Sequence, residues 1–180
     1  SHSSLIESNT TLTYSRHPRR TNMSEFEHEI LSSSKVHGGY LHRVKHYSPC
    51  NDCHMTFAIF VPENNTNTKK TLSSKKMPVI TYLSGLTCDD TNVSQKGNAF
   101  QSCAERNVCF LMPDTSPRGH EKIEGEDASW DFGLAAGFYL DATTDEYAKH
   151  YNMYTYVTKE LESVCKSVPE INKHVDFERQ

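Results

Sequence analysis

Two short apolar runs, with a helix-length segment between them, constrain this chain more than any other feature. Val79-Ile80-Thr81-Tyr82-Leu83 follows Pro78 and stops at Ser84-Gly85; Val108-Cys109-Phe110-Leu111-Met112 stops at Pro113. Both have strand length and strand composition, and both end on residues that break strands. Asn92–Arg106 between them fits a helix that buries Phe100, Cys103 and Ala104. Strand, helix and strand in tight succession make a βαβ unit, hence a parallel sheet with a right-handed crossover. Apolar runs that do not alternate fit a sheet covered on both faces. The fold class is therefore α/β.

The flanking segments extend that sheet. Tyr40–Tyr47 and Met55–Val61 have strand character and flank a short turn at Ser48–Asp52, which predicts an antiparallel pair. Glu63–Lys76 reads as a polar surface loop. Asp114–Gly137 is too long for an ordinary connection and holds Trp130, the chain's one tryptophan, so it reads as an ordered loop lining a site. Thr143–Val168 reads as one long helix. Thr143 and Glu146 have capping-box spacing, Pro169 stops the helix, and Tyr147, Tyr151, Tyr154, Val157, Leu161, Val164 and Val168 form its apolar face. Val175–Gln180 looks like the approach to another strand. Residues 1–35 are Ser/Thr/Asn-rich and are expected to be a disordered extension, leaving 36–180 as part of one domain. Met23-Ser24-Glu25-Phe26 reads as a native start, which would make residues 1–22 a leader, upstream translation or a tail.

Composition narrows the partners. Net charge is -4, and no run of basic residues is longer than a pair such as Lys69-Lys70 or Lys75-Lys76, so nucleic-acid binding has little electrostatic support. No apolar run approaches the ~18 residues of a membrane span. Six cysteines without an apolar leader segment fit free thiols in a reducing cytoplasm better than a disulfide framework. The sequons at Asn9, Asn22 and Asn92 would then stay unglycosylated.

Several local motifs have plain readings. Cys50-Asn51-Asp52-Cys53-His54 has haem-attachment spacing but sits in a predicted turn. Asp131-Phe132-Gly133 matches a kinase triplet without a phosphate loop or a catalytic loop beside it. The ten histidines show no metal-binding spacing and read as surface residues. Asp89 and Asp90 beside Cys88 would discourage its thiolate. The turn Tyr82–Cys88 is more informative. A strand ending in Ser-Gly can present backbone N–H groups to the crevice at the C-terminal edge of a sheet. Locally it is equally a plain strand-to-helix turn or an oxyanion donor loop.

Longer strings tip the balance. Leu83–Cys88, Pro113–Gly119, Gly125–Gly133, Ala136–Thr143 and Tyr151–Leu161, with Phe57–Pro62 upstream, together resemble the S-formylglutathione hydrolase (esterase D) family. The resemblance runs from about Gly38 to Gln180. It implies an α/β-hydrolase fold, a cytoplasmic serine thioesterase that also cleaves simple esters, no cofactor, and S-formylglutathione or a small ester as substrate. It leaves room for a homodimer and gives no place to nucleic acid or membrane. Carried over, Leu86 would give a backbone N–H to the oxyanion hole. Gly85 and Cys88 would border the substrate pocket, with Cys88 a bystander rather than the nucleophile. Trp130 and Asp131 match the long loop beside the pocket, where packing is their expected role.

The family's nucleophile elbow, Gly-His-Ser-Met-Gly-Gly, follows a segment like Val175–Gln180, and no Gly-x-Ser-x-Gly occurs in this chain. No residue matches the triad serine, aspartate or histidine. The sequence thus predicts an incomplete α/β-hydrolase fold, ending before the elbow and inactive alone. The alternative is a truncated isoform or pseudoenzyme that acts by binding.

Overall fold

The computed structural model describes residues 26–63 and 76–178. Six strands form one sheet in the order β1-β2-β3-β5-β4-β6. β1 (His28–Val36), β2 (Gly39–Ser48) and β3 (Cys53–Pro62) run antiparallel, and β3 also pairs antiparallel with β5 (Cys109–Pro113). β4 (Met77–Thr81) is parallel to β5 on one side and to β6 (Val175–Asp176) on the other. The expected antiparallel pair and βαβ unit are both present.

β3 shows why the sheet has two covered faces. Phe57 and Ile59 point into one core with Met153, Tyr156, Leu161, Val164 and Ile171. Ala58 and Phe60, alternating with them, point into a second core with Phe100, Cys103, Ala104 and Met112. A strand buried on both faces must be apolar at consecutive positions. Phe60 and Phe100 stack across the second core with ring centroids 4.8 Å apart.

Four expectations need correction. His28–Val36, expected to fall within a disordered extension over 1–35, forms β1, and the rest of that expectation lies almost wholly outside the described residues. Most of β1 is exposed, so backbone pairing with β2 holds it and no apolar pattern announces it. The helix over 92–106 is two helices, α1 (Asn92–Lys96) and α2 (Phe100–Arg106), broken where Asn98 takes φ +47°. Phe100, Cys103 and Ala104 are buried as predicted. The long helix over 143–168 is interrupted at 149–152. It comprises α3 (Asp145–Ala148), α4 (Met153–Thr155), a π turn (Tyr156–Glu160) and α5 (Leu161–Ser167), followed by α6 (Pro169–Asn172). The capping box does not form: Thr144 is the cap residue and makes no side-chain cap bond. Finally, Val175–Asp176 is already a strand, pairing at Met77 and Pro78.

The interruption and the π turn change the inward face. Met153, Tyr156 and Glu160 are buried before α5, Leu161 and Val164 within it and Val168 at its end, while Tyr154 is 54% exposed. A π turn spends one more residue than an α turn and so rotates the apolar stripe. The polar loop 63–76 lies almost wholly, and the sequons at Asn9 and Asn22 lie wholly, outside the described residues. Among the described residues, no helix is long and apolar enough to cross a membrane.

Candidate active site

β4 and β5 end side by side, and the chains leaving them build the candidate site. Leaving β4, Tyr82 donates its N–H to Leu111 C=O at 2.8 Å, the last rung of the pair. The next residues form a tight turn, in which Cys88 N–H reaches Gly85 C=O at 3.2 Å. Thr87 sits at φ +64°, the third position of a type II-like turn, normally taken by Gly or Asn. A β-branched residue there stores roughly 1–3 kcal/mol of strain, which persists only when neighbours fix the backbone.

Those neighbours are identifiable. Thr87 N–H donates to Ala135 C=O at 2.8 Å, and Ala135, itself at φ +61°, donates its N–H to Ser116 Oγ at 2.9 Å. Tyr139 Oη donates to Ser84 C=O at 2.7 Å, and burial pushes this phenol up to about 12. Cys88 C=O accepts from both Thr115 Oγ1 and Arg118 Nη2. Gly137, at φ +73°, lies so close that a Cβ there would stand 3.0 Å from Gly85 C and 3.2 Å from Leu86 N.

Gly137 covers one side of the Gly85–Leu86 peptide, and the side toward which a Gly85 side chain would point is open. A Cβ built on Gly85 meets nothing within 4 Å. Among the described residues Leu86 N–H donates to no group, although Thr87 and Cys88 on either side of the turn are both bonded. A fixed, unpaired N–H at the C-terminal edge of a parallel strand can stabilise an oxygen that becomes negative during reaction. Leu86 and Leu83 are exposed and border this opening with an apolar rim.

Charge beneath the loop is paired. Asp114, at the end of β5, is buried; its Oδ1 accepts Thr115 N–H at 2.6 Å, and both carboxylate oxygens accept Arg118 Nε–H. Burial raises the Asp114 pKa against the opposing pull of Arg118. Farther along, Asp90 is fully buried and takes two hydrogen bonds from Arg43, at 2.6 and 3.0 Å. The long loop is pinned a second time by His120 and Glu126, 2.8 Å apart and both buried, with Tyr151 Oη on the same carboxylate. Burial works to raise the Glu126 pKa, but the His120 and Tyr151 hydrogen bonds outweigh it and leave the pKa lowered.

Gly85, Leu86 and Cys88 lie together in one turn, and the other two candidates lie on the long loop whose Ala135 touches that turn. Trp130 is 70% exposed, and Asp131 is exposed with the Ser129 hydroxyl as its partner. Neither side chain is buried among the described residues. The loop is ordered by its backbone and by His120–Glu126, not by its tryptophan. Cys50 and Cys53 flank a hairpin turn, where burial raises both thiol pKa values, and Cys53 lies in the core. Among the described residues no group of His, Cys, Asp and Glu could hold a metal ion. Sequence reasoning passed over Asp114, Arg118, Tyr139 and Gly137. The Asp-x-x-x-Arg spacing after a strand was the one available signal.

The likeness to known proteins agrees with this geometry. An esterase family model, described as "Putative esterase", matches residues 48–174. The chain belongs to the esterase family. Among curated esterase-family relatives, the S-formylglutathione hydrolases of Arabidopsis thaliana and Bos taurus are each 44% identical over 131 residues. That stretch is 73% of this chain and 43% and 44% of theirs. A solved structure of an S-formylglutathione hydrolase from Agrobacterium tumefaciens superposes with TM-score 0.68 at 38% identity, covering 77% of this chain and 47% of that one. The esterase fold seen here is thus part of an α/β-hydrolase domain, and the chain spans less than half the length of the curated relatives it matches.

Proposed function

We propose that this chain supplies the oxyanion-hole half of a serine thioesterase that cleaves S-formylglutathione to glutathione and formate, with simple esters as side substrates. The observation that carries the reading is the Leu86 N–H, which finds no acceptor among the described residues, in a chain 44% identical over 131 residues to S-formylglutathione hydrolases. In the proposed reaction a serine oxygen adds to the formyl carbon and gives its proton to a histidine. The carbonyl oxygen becomes an oxyanion that accepts from Leu86 N–H. The C–S bond then breaks, the glutathione sulfur takes the proton, and water releases formate from the serine. One such donor is worth roughly 2.7–4 kcal/mol in the transition state. Gly85 and Cys88 border the acyl group, and Cys88 takes no part in bond making.

Serine, histidine and aspartate of the triad have no counterpart among the 180 residues, so the chain alone is expected to be inactive. A cytoplasmic setting suits the free thiols. Reading the transcript past the Gln180 codon and assaying the extended chain tests the proposal. A Gly-His-Ser-Met-Gly-Gly continuation and formate release from S-formylglutathione are expected. Thioester hydrolysis by the 180-residue chain itself, or an extended chain that cleaves plain esters but not the thioester, would contradict it.

A further inference from the structure

The loop that carries Leu86 has its own carbonyl anchor, and the anchor is a charged relay. Asp114 is buried at the end of β5, and its two carboxylate oxygens share Arg118 Nε–H at 3.1 and 2.9 Å. The same carboxylate accepts Thr115 N–H, so its position is fixed by its own chain. The guanidinium, oriented by that contact, turns Nη2–H onto Cys88 C=O at 3.0 Å. Thr115 Oγ1 donates to the same carbonyl at 2.5 Å. Cys88 N–H closes the turn on Gly85 C=O. A continuous chain of polar contacts therefore runs from Asp114 through Arg118 to the peptide that presents Leu86 N–H.

We infer that Arg118 is a positioning residue for the oxyanion donor. This rests on the thioesterase reading. Arg118 does not reach the reacting atoms; it sets the Cys88 carbonyl, and through the Gly85–Cys88 turn the aim of Leu86 N–H. A planar guanidinium suits the task, since one edge can hold a carboxylate while another N–H bonds a second acceptor. A lysine ammonium has the charge without that fixed geometry. The opposite flank of the loop, where Thr87 meets Ala135 and Ser84 meets Tyr139, is held independently, so loss of Arg118 tilts the turn rather than unfolding it.

The test has two arms. In the 180-residue chain, Arg118→Ala and Arg118→Lys are compared with the parent by ¹⁵N–¹H spectra and circular dichroism. Arg118→Ala is expected to shift the Leu86, Thr87 and Cys88 amides and to speed exchange at Cys88, whose N–H closes the turn. The β3 amides and the melting curve should stay close to the parent. Millimolar guanidinium ion should move the Leu86 amide back, and the lysine variant should not. Should the parent lack a folded spectrum, the same comparison is made in the extended chain. In that extended chain, Arg118→Ala is expected to lower kcat about 10- to 100-fold with KM nearly unchanged, and guanidinium should restore part of kcat. An unmoved Leu86 amide in a folded Arg118→Ala chain overturns the inference, as does kcat within twofold of the parent. A parent extended chain without thioesterase activity instead refutes the functional reading, and the amide arm still decides the positioning role.

Discussion

Buried polar side chains in this protein have assigned protonation states, and His46 shows how. Its ring is 1% exposed and stacks on Tyr156. Nδ1 lies 3.1 Å from Tyr47 C=O, which can only accept, so Nδ1 carries the proton. Nε2 must then accept from Tyr156 Oη at 3.0 Å. Burial lowers the His46 pKa to about 4 from 6.5. The unfolded chain therefore takes up a proton first as pH falls. Stability contributed by neutral His46 is complete above pH 6.5 and is lost toward pH 4, by about 3 kcal/mol in all. Urea midpoints measured at pH 7.5, 6 and 5 should fall less steeply for His46→Gln than for the parent; parallel slopes would refute the assignment. Gly137 is the second decisive single residue. Alanine there meets both a left-handed φ and the Gly85–Leu86 peptide. Gly137→Ala should cost about 1–3 kcal/mol in thermal melts. It should also shift the Leu86 amide, whereas alanine at Gly85, which faces open space, should leave the fold intact.

At the scale of elements, pattern was legible where it came from burial and illegible where it came from local polar geometry. β2, β3, β5 and the buried face of α2 could be read because consecutive or periodic apolar residues must go inside. The break before α2 rests on one left-handed asparagine, and the break before α4 on hydrogen bonds between residues about 100 positions apart, which no periodicity records. Asn51, in the β2–β3 turn, is fully buried. Its Oδ1 accepts Asn152 N–H at 2.9 Å, its C=O accepts His150 Nδ1–H at 2.9 Å, and its Nδ2 donates to Ser48 Oγ. Asn152 in turn donates from Nδ2 to Cys50 C=O and Ala148 C=O. The hairpin turn thus ties α3 to α4 and produces the interruption between them. Asn51→Ala removes the acceptor for a part-buried N–H and should destabilise by about 1–3 kcal/mol. Hydrogen exchange should quicken first across residues 148–156, ahead of β2 and β3. Uniform loss of protection would place the tie elsewhere. The candidate site divides the same way. Ser84-Gly85 after a strand left a plain turn and a donor loop equally open until the family resemblance singled out Leu86, and the Asp114–Arg118 relay depends on side chains meeting across two loops.

For the molecule as a whole, the decisive property is the uneven cover of β4. β6 pairs only with Met77 and Pro78, so the rest of that edge has no strand partner among the described residues. On the α2 face, Ile80 lies level with Phe110, yet Phe110 is buried and Ile80 is 51% exposed; Tyr82 beyond it is 45% exposed. The helix that covers the second core does not reach these two side chains. An open strand edge bearing exposed apolar side chains is a template for pairing with another chain. The 180-residue chain should therefore self-associate as its concentration rises, with weight-average mass growing in sedimentation experiments rather than staying at 20.5 kDa. Ile80→Lys adds a charge to an already exposed position, where surface substitutions usually change stability by about 0.5 kcal/mol or less. It should suppress association while leaving circular dichroism unchanged, and Tyr82→Lys should act in the same direction. A parent chain that stays monomeric at high concentration would show that the β4 edge is already protected. Association that persists in both lysine variants would place the contact elsewhere.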